Sequence, residues 1–109
     1  MLDYDALHSW ADRHWESSII PSLSEFISIE ALSPGFEPEW ELKGELQGTI
    51  DLFRKWVEEQ NLDGCSMVTL SLEGRTPILI INIEGTAQGE VLFYSHLDKQ
   101  PSKPWLGGW

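Results

Sequence analysis

The run Ile78-Leu79-Ile80-Ile81-Asn82-Ile83, with Val68-Thr69-Leu70-Ser71-Leu72 before it, decides the fold class. In the earlier run Val68, Leu70 and Leu72 alternate with Met67, Thr69 and Ser71, a period of two that predicts a strand with one buried face. The later run is almost unbroken in β-branched and aliphatic side chains, the pattern of an inner strand covered on both faces. Glu73-Gly74-Arg75-Thr76-Pro77 between them supplies the turn of a hairpin. A further strand is expected at Val91-Leu92-Phe93-Tyr94, after a Gly-containing turn from Glu84 to Gly89.

Upstream the period changes to that of helices. Leu7, Trp10, Ala11, Trp15, Ile19, Leu23, Phe26 and Ile27 recur at roughly helical intervals. Pro21 interrupts them, because its ring crowds the preceding turn and it lacks a backbone donor, so a kink or a helix junction is expected at Ser17 to Pro21. Ser33-Pro34-Gly35 closes this helical region, and Ala31 to Leu42 reads as a loop whose Glu37, Glu39 and Glu41 face solvent. Leu46, Ile50, Phe53, Trp56 and Val57 line a second amphipathic helix, ended by Asn61 and Asp63-Gly64. The expected class is α/β: two N-terminal helices followed by a hairpin and a further strand. A sheet with a doubly apolar strand needs layers on both sides, and these helices suffice for one.

Seven basic and eighteen acidic side chains leave a net charge of −11 on 109 residues. The acid is concentrated in residues 1–63, which hold fourteen acidic and four basic groups. Such a balance argues against nucleic acid and anionic membrane as partners, since both require basic patches. One cysteine, Cys65, allows no internal disulfide and no thiolate cage, which favours a reducing, cytoplasmic setting. No apolar run approaches the length of a membrane span, and Met1-Leu2-Asp3-Tyr4-Asp5 lacks the charge and apolarity of a signal peptide.

Chemistry concentrates at Tyr94-Ser95-His96-Leu97-Asp98-Lys99-Gln100-Pro101. In extended backbone His96 and Asp98 point to the same side, so the carboxylate can orient the imidazole and raise its basicity as a metal ligand. Spacing alone leaves a metal site and an ordinary polar strand end both open. His8 and His14, six apart on a helix, lie about 240° apart around its axis and form no ligand pair. Cys65 has no neighbouring cation in sequence to activate it and reads as a small core residue. The Glu37 to Glu45 carboxylates lack the spaced ligands and central glycine of a calcium loop. No phosphate-cradling glycine loop and no serine-nucleophile signature is present.

The apolar strand, the Ser95-His96-Leu97-Asp98-Lys99-Gln100-Pro101 segment and the tryptophan-containing loop after it resemble the first metal-site motif of the aminoacylase/carnosine dipeptidase family of dizinc peptidases. The order of elements before it is similar to that family's opening, so the resemblance spans nearly the whole chain, residue by residue only from about Val91 to Pro101. It implies that residues 1–109 are the incomplete N-terminal part of a zinc-exopeptidase-like catalytic domain: helical over 3–62, strands over 65–95, and a metal-motif loop over 96–109. It further implies that His96 ligates one of two zinc ions, and that Asp98 is the catalytic-site carboxylate orienting it. The remaining ligands, a glutamate base and a lid domain used for homodimerisation would then lie beyond Trp109.

The activity so implied is hydrolysis of dipeptides or N-acyl amino acids by a cytoplasmic enzyme. One ligand cannot hold two metal ions, so the 109 residues are expected to be inactive alone. Trp105 and Trp109 are expected to pack under the rest of such a domain. Two other readings stand beside this one: a non-catalytic acidic α/β interaction module, and a truncated product without function.

Overall fold

Residues 1–102 are described in the computed structural model. Helix α1 runs Tyr4–His14, a π-helical segment follows at Trp15–Ile19, and α2 runs Ile20–Ser28. After a loop come the one-turn α3, Trp40–Lys43, and the long α4, Glu45–Glu59. Strands β1, Cys65–Leu70, and β2, Ile78–Ile83, complete a mixed α/β chain.

Local chemistry accounts for the helix limits. Asp3 caps α1 by accepting from the Ala6 amide at 3.0 Å. The expected irregularity before Pro21 is the π segment. There the Ile20 amide donates to the carbonyl of Trp15, five residues back, so the helix widens where the proline ring would otherwise collide with it. Gly44, at φ 67°, ends α3 and starts α4, a left-handed position that glycine adopts without the clash of a Cβ.

The core lies along one side of α4. Leu46, Thr49, Ile50 and Val57 are buried, spaced as one helical stripe, with Thr49 Oγ1 donating to the Leu46 carbonyl at 2.7 Å. Helix α2 packs on it through Phe26 and Phe53, edge to face with centroids 5.3 Å apart. Trp56 Nε1 donates to Ser18 Oγ at 3.0 Å, and the His14 ring lies 6.0 Å from Trp56 while stacked on Trp10 at 4.8 Å. Two of the three carboxylates expected to face solvent are instead structural ties. Glu37 pairs with Lys43 and accepts the Glu39 amide, and Glu41 accepts the Gly74 amide of the hairpin turn at 3.0 Å.

The hairpin forms as expected, antiparallel, with Cys65 opposite Ile83 and Leu70 opposite Ile78. Its sidedness is the reverse of the expectation. Cys65, Met67 and Thr69 form the half-buried face of β1, and Val68 and Leu70 are exposed. The reason is a tie to α4: Arg54 donates to Thr69 Oγ1 at 3.1 Å, which selects the odd-numbered face, and strand alternation turns the rest outward. Across the pairing, Val68, Leu70, Ile78 and Ile80 therefore share an uncovered face.

Two further expectations are corrected. β2 is not an inner strand, because the sheet has two strands and nothing among the described residues covers its outer face. Val91–Tyr94 is not a strand: among the described residues they have no ladder partner, and they are between 81% and 93% exposed. An apolar run becomes a strand only where a neighbour satisfies its backbone, so the strands end at Ile83 rather than near residue 95. The radius of gyration is 16.9 Å, against about 13 Å for a closed domain of this length. Trp105, Trp109 and the rest of the loop after Ser102 lie outside the described residues.

Three measurements follow from this packing. Ile50→Ala should lower unfolding free energy by about 2–5 kcal/mol in urea melts, the cost of a cavity at a buried site. Sedimentation at rising concentration should show self-association through the open sheet face. Val68→Lys with Ile80→Glu should suppress it at a stability cost of roughly 1 kcal/mol or less, since both sites are half exposed already. The third concerns acid. The Lys43 ammonium, helped by the Glu39 amide, holds the Glu37 carboxyl below the ordinary carboxylate range. That stabilisation is complete above the unfolded carboxyl's pKa and is lost as pH falls through the lowered folded value. Urea melts between pH 7 and pH 3 should therefore show a shallower acid-side loss in Glu37→Gln.

Candidate metal-ligand turn

The segment that carries His96 is held by its far end. Lys99 forms a parallel bridge with Leu32: its amide donates to the Ala31 carbonyl at 2.9 Å, and its carbonyl accepts the Ser33 amide at 2.9 Å. Ala31 is fully buried and sits at φ 37°, a strained backbone for alanine that this bridge helps to maintain. The Lys99 ammonium donates to the carbonyl oxygens of Phe26 and Ile29 at the end of α2, and lies 4.1 Å from the centre of the Phe26 ring. Its burial pushes the Lys99 pKa down, while Glu45 opposes the shift.

Before this anchor, residues 91–98 have no regular secondary structure. His96 Nδ1 lies 3.0 Å from Asp98 Oδ1 and 3.0 Å from the Asp98 carbonyl oxygen. Both partners are acceptors, so the neutral imidazole carries its proton on Nδ1 and presents the lone pair of Nε2. The His96 side chain is 71% exposed and Asp98 about half that. Backed by a carboxylate and open to approach, Nε2 has the chemistry of a single zinc ligand with its orienting partner. A whole site needs more donors, and among the described residues no group of three or more His, Cys, Asp or Glu side chains is placed to hold a metal ion.

The other candidates sit elsewhere. His8 pairs with Asp12 at 3.3 Å on the exposed side of α1, and His14 is stacked on Trp10. Cys65 is half-buried at the start of β1. An apolar groove between α2 and α4, lined by Ile19, Leu23, Leu52, Phe53 and Trp56, includes no residue of the His96 turn.

Lys99 is the residue that sequence reading missed. Its acceptors are backbone carbonyls some seventy positions away, which leave no mark in a local pattern. One signal existed: the last turn of α2 has no basic side chain of its own, so its carbonyls call for a cation from elsewhere in the fold.

Comparison with known protein families finds no match to the chain, and comparison with curated proteins finds none. No helix among the described residues is long and apolar enough to cross a membrane. Because His96 is exposed and Asp98 is only partly buried, Asp98→Ala should leave the unfolding free energy from urea melts within about 0.5 kcal/mol of the unchanged chain. A larger loss would mean that the carboxylate serves the fold and not the imidazole.

Proposed function

We propose that this chain is the N-terminal part of a zinc-exopeptidase-like catalytic domain, similar to the aminoacylase/carnosine dipeptidase family, acting in the cytoplasm on dipeptides or N-acyl amino acids. The observation that supports it is the 3.0 Å approach of Asp98 Oδ1 to His96 Nδ1, which leaves Nε2 as the donor atom. The uncovered sheet face of Val68, Leu70, Ile78 and Ile80 suits a domain whose second layer comes from further polypeptide.

On this reading His96 would hold zinc through Nε2, and Asp98 would keep the ring in the Nδ1–H tautomer. Bound zinc in such a site polarises an amide carbonyl and lowers the pKa of water. What this chain contributes is an oriented ligand. Among the described residues no further ligand is placed beside His96, so on this reading hydrolysis requires further ligands and a glutamate base from outside the 109.

A second reading draws on the same open face. A small acidic α/β module with an exposed apolar sheet can bind another protein without metal or catalysis. A truncated product without function is the third.

Calorimetric zinc titration of the 109-residue chain separates them. The peptidase reading expects weak binding, abolished by His96→Ala; binding unchanged by that substitution would sink it. In a polypeptide that completes the domain, His96→Ala should remove dipeptide or N-acyl amino acid hydrolysis, and Asp98→Ala should lower zinc affinity or activity about 10–100-fold.

A further inference from the structure

We infer that Lys99 is a positioning residue, whose ammonium, seated on the C-terminal carbonyls of α2, holds the His96–Asp98 turn in the arrangement that directs Nε2 outward. Its value for zinc rests on the proposed function, whereas the clamp itself stands on geometry independent of it.

From Glu84 to Leu97 the chain forms no ladder, and Val91 to His96 are all exposed. The hydrogen bonds that tie this segment to the body of the protein, among the described residues, converge on Lys99: two backbone bonds to Ala31 and Ser33, and the ammonium on Phe26 and Ile29. A single isolated bridge frays readily, since its two hydrogen bonds lie open to competition from water. The ammonium adds charge-assisted bonds, at a helix end whose dipole favours a cation and whose last turn contains none.

Phe26 links this clamp to the core. Its ring takes the Lys99 ammonium on its face and meets the Phe53 ring of α4 edge to face. A continuous set of contacts therefore runs from α4 through Phe53 and Phe26 to Lys99, one residue from Asp98 and three from His96. Asp98 meets Nδ1 only while the backbone between them keeps this conformation, and Lys99 fixes the end of that backbone. A lysine next to the carboxylate is thus bonded to the helix and is not spent on an ion pair with Asp98.

The test uses the 109-residue chain without metal. Long-range proton–nitrogen NMR correlations of the imidazole distinguish Nδ1–H from Nε2–H at a pH where the ring is neutral. The unchanged chain should show Nδ1–H at His96. Lys99→Met, which keeps the length and apolar body of the side chain, should shift His96 towards the Nε2–H form that free imidazole favours. It should also speed hydrogen exchange of the Ser33 and residue 99 amides about tenfold. Lys99→Arg, which can donate to both carbonyls and lie on Phe26, should restore the Nδ1–H signature.

Retention of Nδ1–H in Lys99→Met overturns the inference, as does its absence from the unchanged chain. Collapse of the α4 and β1 amide shifts in Lys99→Met overturns it too, because the ammonium would then be holding the helical layer and not the turn. These readouts involve no zinc. A failed zinc titration with the tautomer shift intact removes the peptidase reading and leaves the clamp, and the converse result removes the clamp alone.

Discussion

The structure depends on the buried side of α4. Among the described residues Leu46, Thr49, Ile50 and Val57 form the buried helical stripe, and the other elements take their places by reference to it. Helix α2 meets α4 through Phe26 on Phe53, and the π segment reaches it through Ser18 on Trp56. The hairpin meets it through Thr69 under Arg54. Helix α4 can act as this axis because Gly44, in a left-handed conformation, lets the chain turn directly from α3 into it.

From that axis the chemistry of the His96 turn follows by two steps of support. Phe26 is placed by α4, and Lys99 is placed by Phe26 and the carbonyls that end α2. Asp98 then stands against Nδ1 of His96 in a segment with no regular secondary structure. An oriented side chain of this kind is usually made rigid by the strand or helix that carries it. Here a lysine side chain supplies the rigidity, drawing on helix-end carbonyls that would otherwise face solvent.

The sheet illustrates how one polar contact sets the exposure of a whole surface. Once Arg54 and Thr69 meet, alternation dictates that Val68 and Leu70 point away, and the pairing register carries Ile78 and Ile80 with them. Nothing among the described residues covers this face. The same asymmetry underlies both the peptidase reading and the interaction-module reading.

Local sequence was enough to place α1, α2 and α4, the irregularity before Pro21, the hairpin and its turn, because each depends on residues within a few positions of one another, whereas the one-turn α3, Trp40–Lys43, begins inside the stretch that reads as a loop. The proximity of His96 and Asp98 was legible for the same reason, being a matter of two residues. Which face of β1 is buried was not legible, since Val68 and Leu70 are more apolar than Cys65 and Thr69 and only the contact with Arg54 reverses the order. Nor was the fate of Val91 to Tyr94, whose apolar character suits a strand but whose backbone finds no partner. The role of Lys99 lay furthest from view. A local pattern records what a residue prefers, whereas a helix end seventy positions away, an open sheet edge or a guanidinium across the core decides whether that preference is met, and only tertiary structure brings those together.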